Sequence, residues 1–192
     1  MATPDELPLN PGPARQWPAG GQPGTTQGVS AAFIAIAAVV AGTAALGLGA
    51  GFLWAAVAPR ALIQVVGPGS ADIVNPETNA FFAADGWFIL LTVVGGLASG
   101  AAGYALAVRR SGPPAMAGIL AGGLAAALLA KWIGQQSGAA AFNHGLAAGH
   151  VGLMLRDPPM VGGLAPLMFW PIAAGVVAAG LELITRRPSR RR

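Results

Sequence analysis

Four side chains outside the longest apolar stretches could take part in chemistry: Asp85, His144, His150 and Asp157. A carboxylate and an imidazole within hydrogen-bond reach can act as a general acid and base, and the same groups can hold a ligand. The two histidines are six residues apart, whereas two metal ligands on one helical face need a separation of three or four. The sequence therefore predicts no metal and no cofactor, and an acid–histidine site only if two separate loops bring these side chains together.

Asp85 also has a simpler interpretation. It precedes the apolar run that starts at Trp87, where a carboxylate can accept from free backbone N–H groups and favour the positive end of the helix dipole. We predict that Asp85 caps this helix, with a ligand or partner contact as the alternative. For His144 and His150 we predict a surface or packing helix over residues 139–155, with pH sensing as an alternative.

The composition predicts that lipid, and not water, surrounds most of the chain. Hydrophobic residues make up 54% of the 192 residues and charged residues 9%, against roughly a quarter charged in an ordinary soluble domain. Crossing a hydrocarbon layer of about 30 Å takes about 20 helical residues. Four stretches are long enough, at about 30–57, 87–108, 115–133 and 164–185. The sequence thus predicts an all-α fold, an integral membrane four-helix bundle whose loops 58–86 and 134–163 lie on one side.

The termini differ from the spans in composition. Residues 1–29 hold six prolines and five glycines with few aliphatic side chains, so they bury too little apolar surface to offset the entropy of ordering. We predict a disordered tail there. The chain has no cysteine, which excludes disulfides and thiolate metal sites. The net charge of +4 does not predict a nucleic-acid partner, because the basic residues flank the predicted spans.

Arginine placement predicts the orientation in the cell membrane. Arg109 and Arg110 follow the second span and the basic segment 186–192 follows the fourth, which predicts that both termini are cytoplasmic. We expect Arg186, Arg187 and Arg190 to contact anionic lipid. Four tryptophans near the opposite ends of the spans predict an aromatic belt at the outer face: Trp54, Trp87, Trp132 and Trp170.

Small residues spaced by four predict where the helices pack. Lipid supplies no hydrophobic drive between helices, so close backbone approach must replace it. The predicted packing positions are Gly47, Gly51, Gly96, Gly100, Gly118 and Gly122. A weak internal repeat accompanies them, since each half of the chain reads span, loop of about 30 residues, span and then an arginine pair.

Two short motifs resemble a known family. "GFLWAAVAPR" at 51–60 and "ADGWFILL" at 84–91 resemble an actinobacterial family of small four-span integral membrane proteins of unknown function. The resemblance covers roughly residues 40–110. It implies a four-span membrane fold, and it implies no activity, so it assigns no catalytic residue.

Three functions fit these features. The first is a non-catalytic accessory or interaction subunit of the cell envelope, which contacts the lipid bilayer and a membrane-protein partner or a second copy. The second is a small permease or channel, whose polar lining would be Thr43, Thr92 and Ser99 alone. The third is a membrane enzyme acting through the acid and histidine side chains. Packing and anchoring residues dominate the sequence, which favours the first function.

Overall fold

The computed structural model describes residues 25–76, 78–109 and 113–185. Its helices are α1 (Thr25–Val57), α2 (Ala80–Gly103), α3 (Pro113–Gln136), α4 (Ala139–Ala148) and α5 (Ala165–Thr185). A π-helical turn, Tyr104–Val108, continues α2. Its strands are β1 (Leu62–Gly67), β2 (Ser70–Ile73) and β3 (Met154–Arg156).

The mainly helical class and the four apolar helices predicted from the sequence are confirmed. The helices α1, α2, α3 and α5 are each long and apolar enough to cross a membrane. Two helices begin earlier than predicted: α1 starts at Thr25, inside the segment predicted to be disordered, and α2 starts at Ala80, seven residues before Trp87. The rest of the N-terminal tail, residues 1–24, lies outside the described residues. So do Arg110 and the C-terminal segment with Arg186, Arg187 and Arg190.

A small antiparallel sheet joins the two long loops, and the sequence analysis did not predict it. The strand order is β2–β1–β3, so one loop supplies two strands and the other supplies the third. Gly69, with φ of 70°, lies in the tight connection between β1 and β2, a backbone conformation that glycine adopts without steric cost. We call the end of the helices that carries this sheet the sheet end.

The long helices pack most extensively in two pairs, α1 with α3 and α2 with α5. Gly47 lies against Ala126 and Gly51 against Ala130, so residue numbers rise together and α1 runs parallel to α3. Gly96 and Gly100 lie against Trp170 and Ala174, so α2 and α5 are parallel too. Each pair therefore joins the equivalent helices of the two sequence halves, a pairing that was not predicted from the sequence.

These contacts are backbone to backbone. A Cβ built on Gly47 would lie 2.5 Å from the carbonyl oxygen of Ala126, and one on Gly100 would lie 2.5 Å from that of Ala174. Real Cβ atoms do not approach so closely, so no side chain fits at either position. Gly118 and Gly122, both on α3, face Ile36 and Thr43 of α1. The structure thus places all six predicted packing glycines against a neighbouring long helix.

Trp54 connects three helices at the sheet end. Its side chain is fully buried, and its indole N–H donates to the carbonyl oxygen of Ala84 on α2 at 2.8 Å. The ring meets Phe88 edge to face, with centroids 5.0 Å apart, and packs against Gly134 on α3. Such a pair is stabilising by about 0.5–1.5 kcal/mol beyond the area that it buries.

The predicted aromatic belt is wrong for two of its four tryptophans. Trp170 is fully buried between α5 and α2, where its ring covers Gly95 and its indole N–H donates to Ser99 Oγ at 3.1 Å. Trp54 is equally inaccessible. Both indoles satisfy their donor inside the protein, so neither needs the headgroup region that attracts tryptophan in a membrane. Trp87 and Trp132 remain largely exposed.

We expect Gly47→Ala to destabilise the protein and Gly49→Ala to leave it nearly unchanged. The first adds a methyl group against the backbone of Ala126, whereas a Cβ on Gly49 meets no atom within 4 Å. Overpacking costs about 1–3 kcal/mol. The measurement is the thermal unfolding midpoint of both variants in the same detergent. Equal midpoints would contradict the close α1–α3 contact.

Candidate functional site

The four candidate side chains all lie at the sheet end. The entry to the first loop is fixed by Arg60, whose guanidinium donates to the carbonyl oxygen of Ala55 at 2.8 Å and so satisfies the last turn of α1. The two loops are then joined by the strands and by the N–H of Asp157, which donates to the carbonyl oxygen of Ala61 at 3.0 Å. These contacts join the two loops at the end of the protein that carries the four candidate side chains.

Asp85 does not cap α2, contrary to the prediction. The helix begins five residues earlier, where the backbone N–H of Ala80 donates to Thr78 Oγ1 at 3.2 Å. The half-buried Asp85 carboxylate instead accepts from the backbone N–H of Gly162 at 3.0 Å. Asp85 therefore links α2 to the segment that leads into α5, a tertiary role that the local sequence does not reveal.

His144 and His150 are exposed and lie in different elements. The predicted helix over 139–155 is shorter, because Gly138 and Gly149 have positive φ values of 93° and 64° and bound α4. His144 is on α4, whereas His150 follows it in a turn. Gly145 of α4 packs against Leu155 of β3, so the predicted packing role is carried by the helix and not by either imidazole.

Asp157 is partly buried beside β3, and this burial raises the pKa of its carboxyl group above the ordinary value of 3.8. Burial favours the neutral acid because the charged form loses hydration. Two buried prolines, Pro158 and Pro159, follow it directly. Among the described residues no cation compensates for this lost hydration, so the carboxylate is a destabilising group at neutral pH.

The structure shows no direct contact among the four candidate side chains. Across residues 25–76, 78–109 and 113–185, no hydrogen bond or ion pair joins any two of them. Within the same ranges, no group of three or more histidine, cysteine, aspartate or glutamate side chains could hold a metal ion. The arrangement thus offers separate polar groups, one of which fixes a loop.

The sheet presents a surface that was not predicted from the sequence. Leu62 pairs with Arg156 and Gln64 with Met154, so these four side chains lie on one face, and Asp72 joins them across from Gln64. On this face Leu62 and Met154 are about half exposed. The opposite face carries the buried Ile63 and the partly buried Leu155. The β-branched residues in "LIQVV" at 62–66 were the available signal for β1.

The three hydroxyl groups predicted as the polar lining of a permease or channel are buried and internally bonded. Thr43 Oγ1 donates to the carbonyl oxygen of Val39 at 2.6 Å, and Thr92 Oγ1 to that of Ile89 at 2.9 Å. Ser99 Oγ donates to Gly96 and accepts from the Trp170 indole. Thr43 and Ser99 line a groove of about 180 Å³ between α1 and α2, and Thr92 does not line it.

No known protein-family model, curated protein or solved structure matches this chain. The resemblance to the actinobacterial four-span family accordingly stays a prediction, and any role has to be argued from the geometry.

We expect Asp85→Ala to loosen the segment before α5, and Asp85→Asn to preserve it better. Alanine leaves the Gly162 N–H without its acceptor, whereas the asparagine side chain keeps an oxygen that can accept. The net effect of such a bond is about 1 kcal/mol. Hydrogen exchange at Gly162 in detergent measures it. Unchanged exchange in Asp85→Ala would show that the bond does not hold the segment.

We expect Asp157→Asn to stabilise the protein at neutral pH but not at low pH. The folded-state pKa is raised, so the folded protein loses stability as pH rises from 3.8 through that higher pKa. Below 3.8 both states are protonated and the difference disappears. Unfolding midpoints from pH 3 to 7 measure the effect. Asp72→Asn, on the exposed strand β2, controls for the loss of one surface charge, and a pH-independent difference at Asp157 would contradict the assignment.

Proposed function

We propose that this protein is a non-catalytic integral membrane protein of the cell membrane, an accessory or interaction subunit that binds its partner through the sheet end. The observation that carries the proposal is the exposed sheet face, on which Leu62 and Met154 stand among Gln64, Asp72 and Arg156. Exposed apolar side chains interspersed with polar and charged ones on one face are compatible with a protein interface, which combines both kinds of contact.

The spacing of the helix contacts supports membrane insertion. At the sheet end Trp54 meets Gly134, and at the other end Ile36 meets Gly118. Eighteen residues separate Ile36 from Trp54, which corresponds to about 27 Å of helix, and no charged residue lies between them. This length is close to the hydrocarbon thickness of about 30 Å.

The exposed surface between these levels is apolar, which also supports insertion. On α2 it includes Leu90, Val94 and Leu97, and on α5 it includes Ile172 and Val176. Side chains of this kind face lipid without cost, whereas water would penalise them. The exposed Arg109, which lies at the end of α2 opposite the sheet, supports the orientation with both termini in the cytoplasm and the sheet outside.

Neither the buried hydroxyl groups nor the acid and histidine side chains support a catalytic function. The hydroxyls of Thr43, Thr92 and Ser99 are bonded to backbone or to Trp170, and no hydrogen bond joins any two of the four acid and histidine side chains. General acid–base catalysis needs such groups within hydrogen-bond or one-water reach of a common atom. A binding role needs only the exposed sheet face and no converging acid and base groups. The structure therefore supports binding better than catalysis.

A small permease or channel is the second candidate, because Thr43 and Ser99 line one shared groove. Every other lining residue of that groove is glycine or aliphatic. Both hydroxyl groups donate to a carbonyl oxygen of their own helix. A carrier for ions would need a more polar pathway. Reconstituted vesicles would show solute flux that Thr43→Val and Ser99→Ala abolish if transport were the function.

We test the interaction role by placing a photoreactive amino acid at Met154 in native membranes. We expect one protein adduct of defined mass at Met154, on the sheet face. Val94, on the lipid-facing side of α2, is the control and should yield lipid adducts only. No protein adduct at Met154, together with a monomer in mild detergent, would overturn the proposal.

The double variant Leu62→Ser, Met154→Ser provides a second measure. Both side chains are about half exposed, so the unfolding midpoint should change little, while the amount of partner that co-purifies in mild detergent falls about tenfold or more if about 1.4 kcal/mol of binding is lost. Unchanged recovery with an unchanged midpoint would place the interface elsewhere.

A further inference from the structure

We propose that exposed apolar side chains at the sheet end form a ring that anchors the protein in the interfacial layer of the outer leaflet. This inference rests on the proposed membrane insertion. The ring, called here the interfacial ring, consists of Phe82, Trp87, Trp132 and Leu164. Trp87 and Trp132 also belong to the aromatic belt predicted from the sequence. Trp54 and Trp170 are buried and are not part of the ring, whereas Phe82 and Leu164 are exposed and belong to it.

Trp54 defines the level of the ring. Its indole binds the carbonyl oxygen of Ala84 on α2 and packs against Gly134 on α3, so these residues lie at the same depth. Trp87 is three residues past Ala84, and Trp132 is two residues before Gly134. Both therefore lie within about one helical turn, roughly 5.4 Å, of that level.

Phe82 and Leu164 belong to the same layer. Phe82 is two residues before Ala84, and Leu164 is two residues past Gly162, which is hydrogen-bonded to Asp85. Their exposed fractions are 80% and 73%, among the largest of the apolar side chains in the described residues. Asp85 thereby acts as a positioning residue, because its bond to Gly162 holds the segment that carries Leu164.

The ring is continuous with the surface that would face lipid. Phe82 and Leu90 are eight residues apart, and Leu90 and Val94 four, so the three lie on one side of α2. All are exposed. Phe82 is about 12 Å along the helix from Leu90. The exposed apolar side of α2 therefore extends from the hydrocarbon layer to headgroup depth, where aromatic rings concentrate.

Lipid is the occupant that this distribution favours. The helix α2 packs mainly on α5, and α3 packs mainly on α1, with little contact between α2 and α3. Trp87 and Trp132 are thus exposed on two helices that make little contact with each other. A partner protein covers one side, whereas a bilayer surrounds all of them at one depth.

Single-cysteine variants test the ring, since the natural chain has no cysteine. Phe82→Cys, Leu164→Cys, Val94→Cys and Val66→Cys are each labelled with an environment-sensitive fluorophore in phosphatidylcholine vesicles. Quenchers are lipids with a nitroxide high or low on the acyl chain, and aqueous iodide. We expect positions 82 and 164 to lose more emission to the shallow nitroxide than to the deep one, and little to iodide.

The controls separate failure of the ring from failure of membrane insertion. Position 94 should respond most to the deep nitroxide, and position 66, on the sheet, to iodide. If 82 and 164 respond like 66 while 94 remains deep, the ring is wrong and insertion stands. If 94 also responds to iodide, insertion itself fails. Protection of 82 and 164 from all quenchers would mean that protein covers them, which equally overturns the proposal.

Discussion

Close backbone contact between parallel helices is the constraint on which the structure depends. In a lipid environment apolar side chains gain nothing by leaving the solvent, so association relies on van der Waals contact and on the few internal hydrogen bonds. Gly47 and Gly51 bring α1 onto α3, and Gly96 and Gly100 bring α2 onto α5. These pairs link the two halves of the chain, and the loop sheet then joins the halves again at one end.

The buried indoles act together with the glycines. Trp54 fills the space above Gly134, and Trp170 fills the space above Gly95. Each large ring lies where the facing helix has no side chain, so the ring and the helix can pack closely. Each indole N–H also finds an acceptor in a different helix, Ala84 for one and Ser99 for the other. The rings thus fix the depth at which the helices meet, which glycine contacts alone would leave free to slide.

Sequence reasoning succeeded for features set by composition and failed for features set by partners. Length and apolarity identified four helices, and the spacing of Gly47 and Gly51 indicated a packing face. The same spacing carries no information about which helix lies opposite, and so the parallel pairing was missed. For Trp54 a signal was present: it lies seven residues after Gly47 and three after Gly51, on that same face. Trp170, Ala174 and Ala178 show the equivalent pattern on α5.

Asp85 and the sheet show why the candidate site resisted prediction. A carboxylate before an apolar run predicts a cap, but the helix extends upstream through Phe81 and Phe82, and the acid then meets a loop 77 residues away in sequence. Strand β3 has three residues and gains its register only from β1. Both are consequences of the two loops meeting, which no local pattern encodes. Glycine and tryptophan contacts hold the long helices together, whereas the sheet end carries exposed polar side chains beside exposed apolar ones, and this contrast supports the proposed recognition at that end.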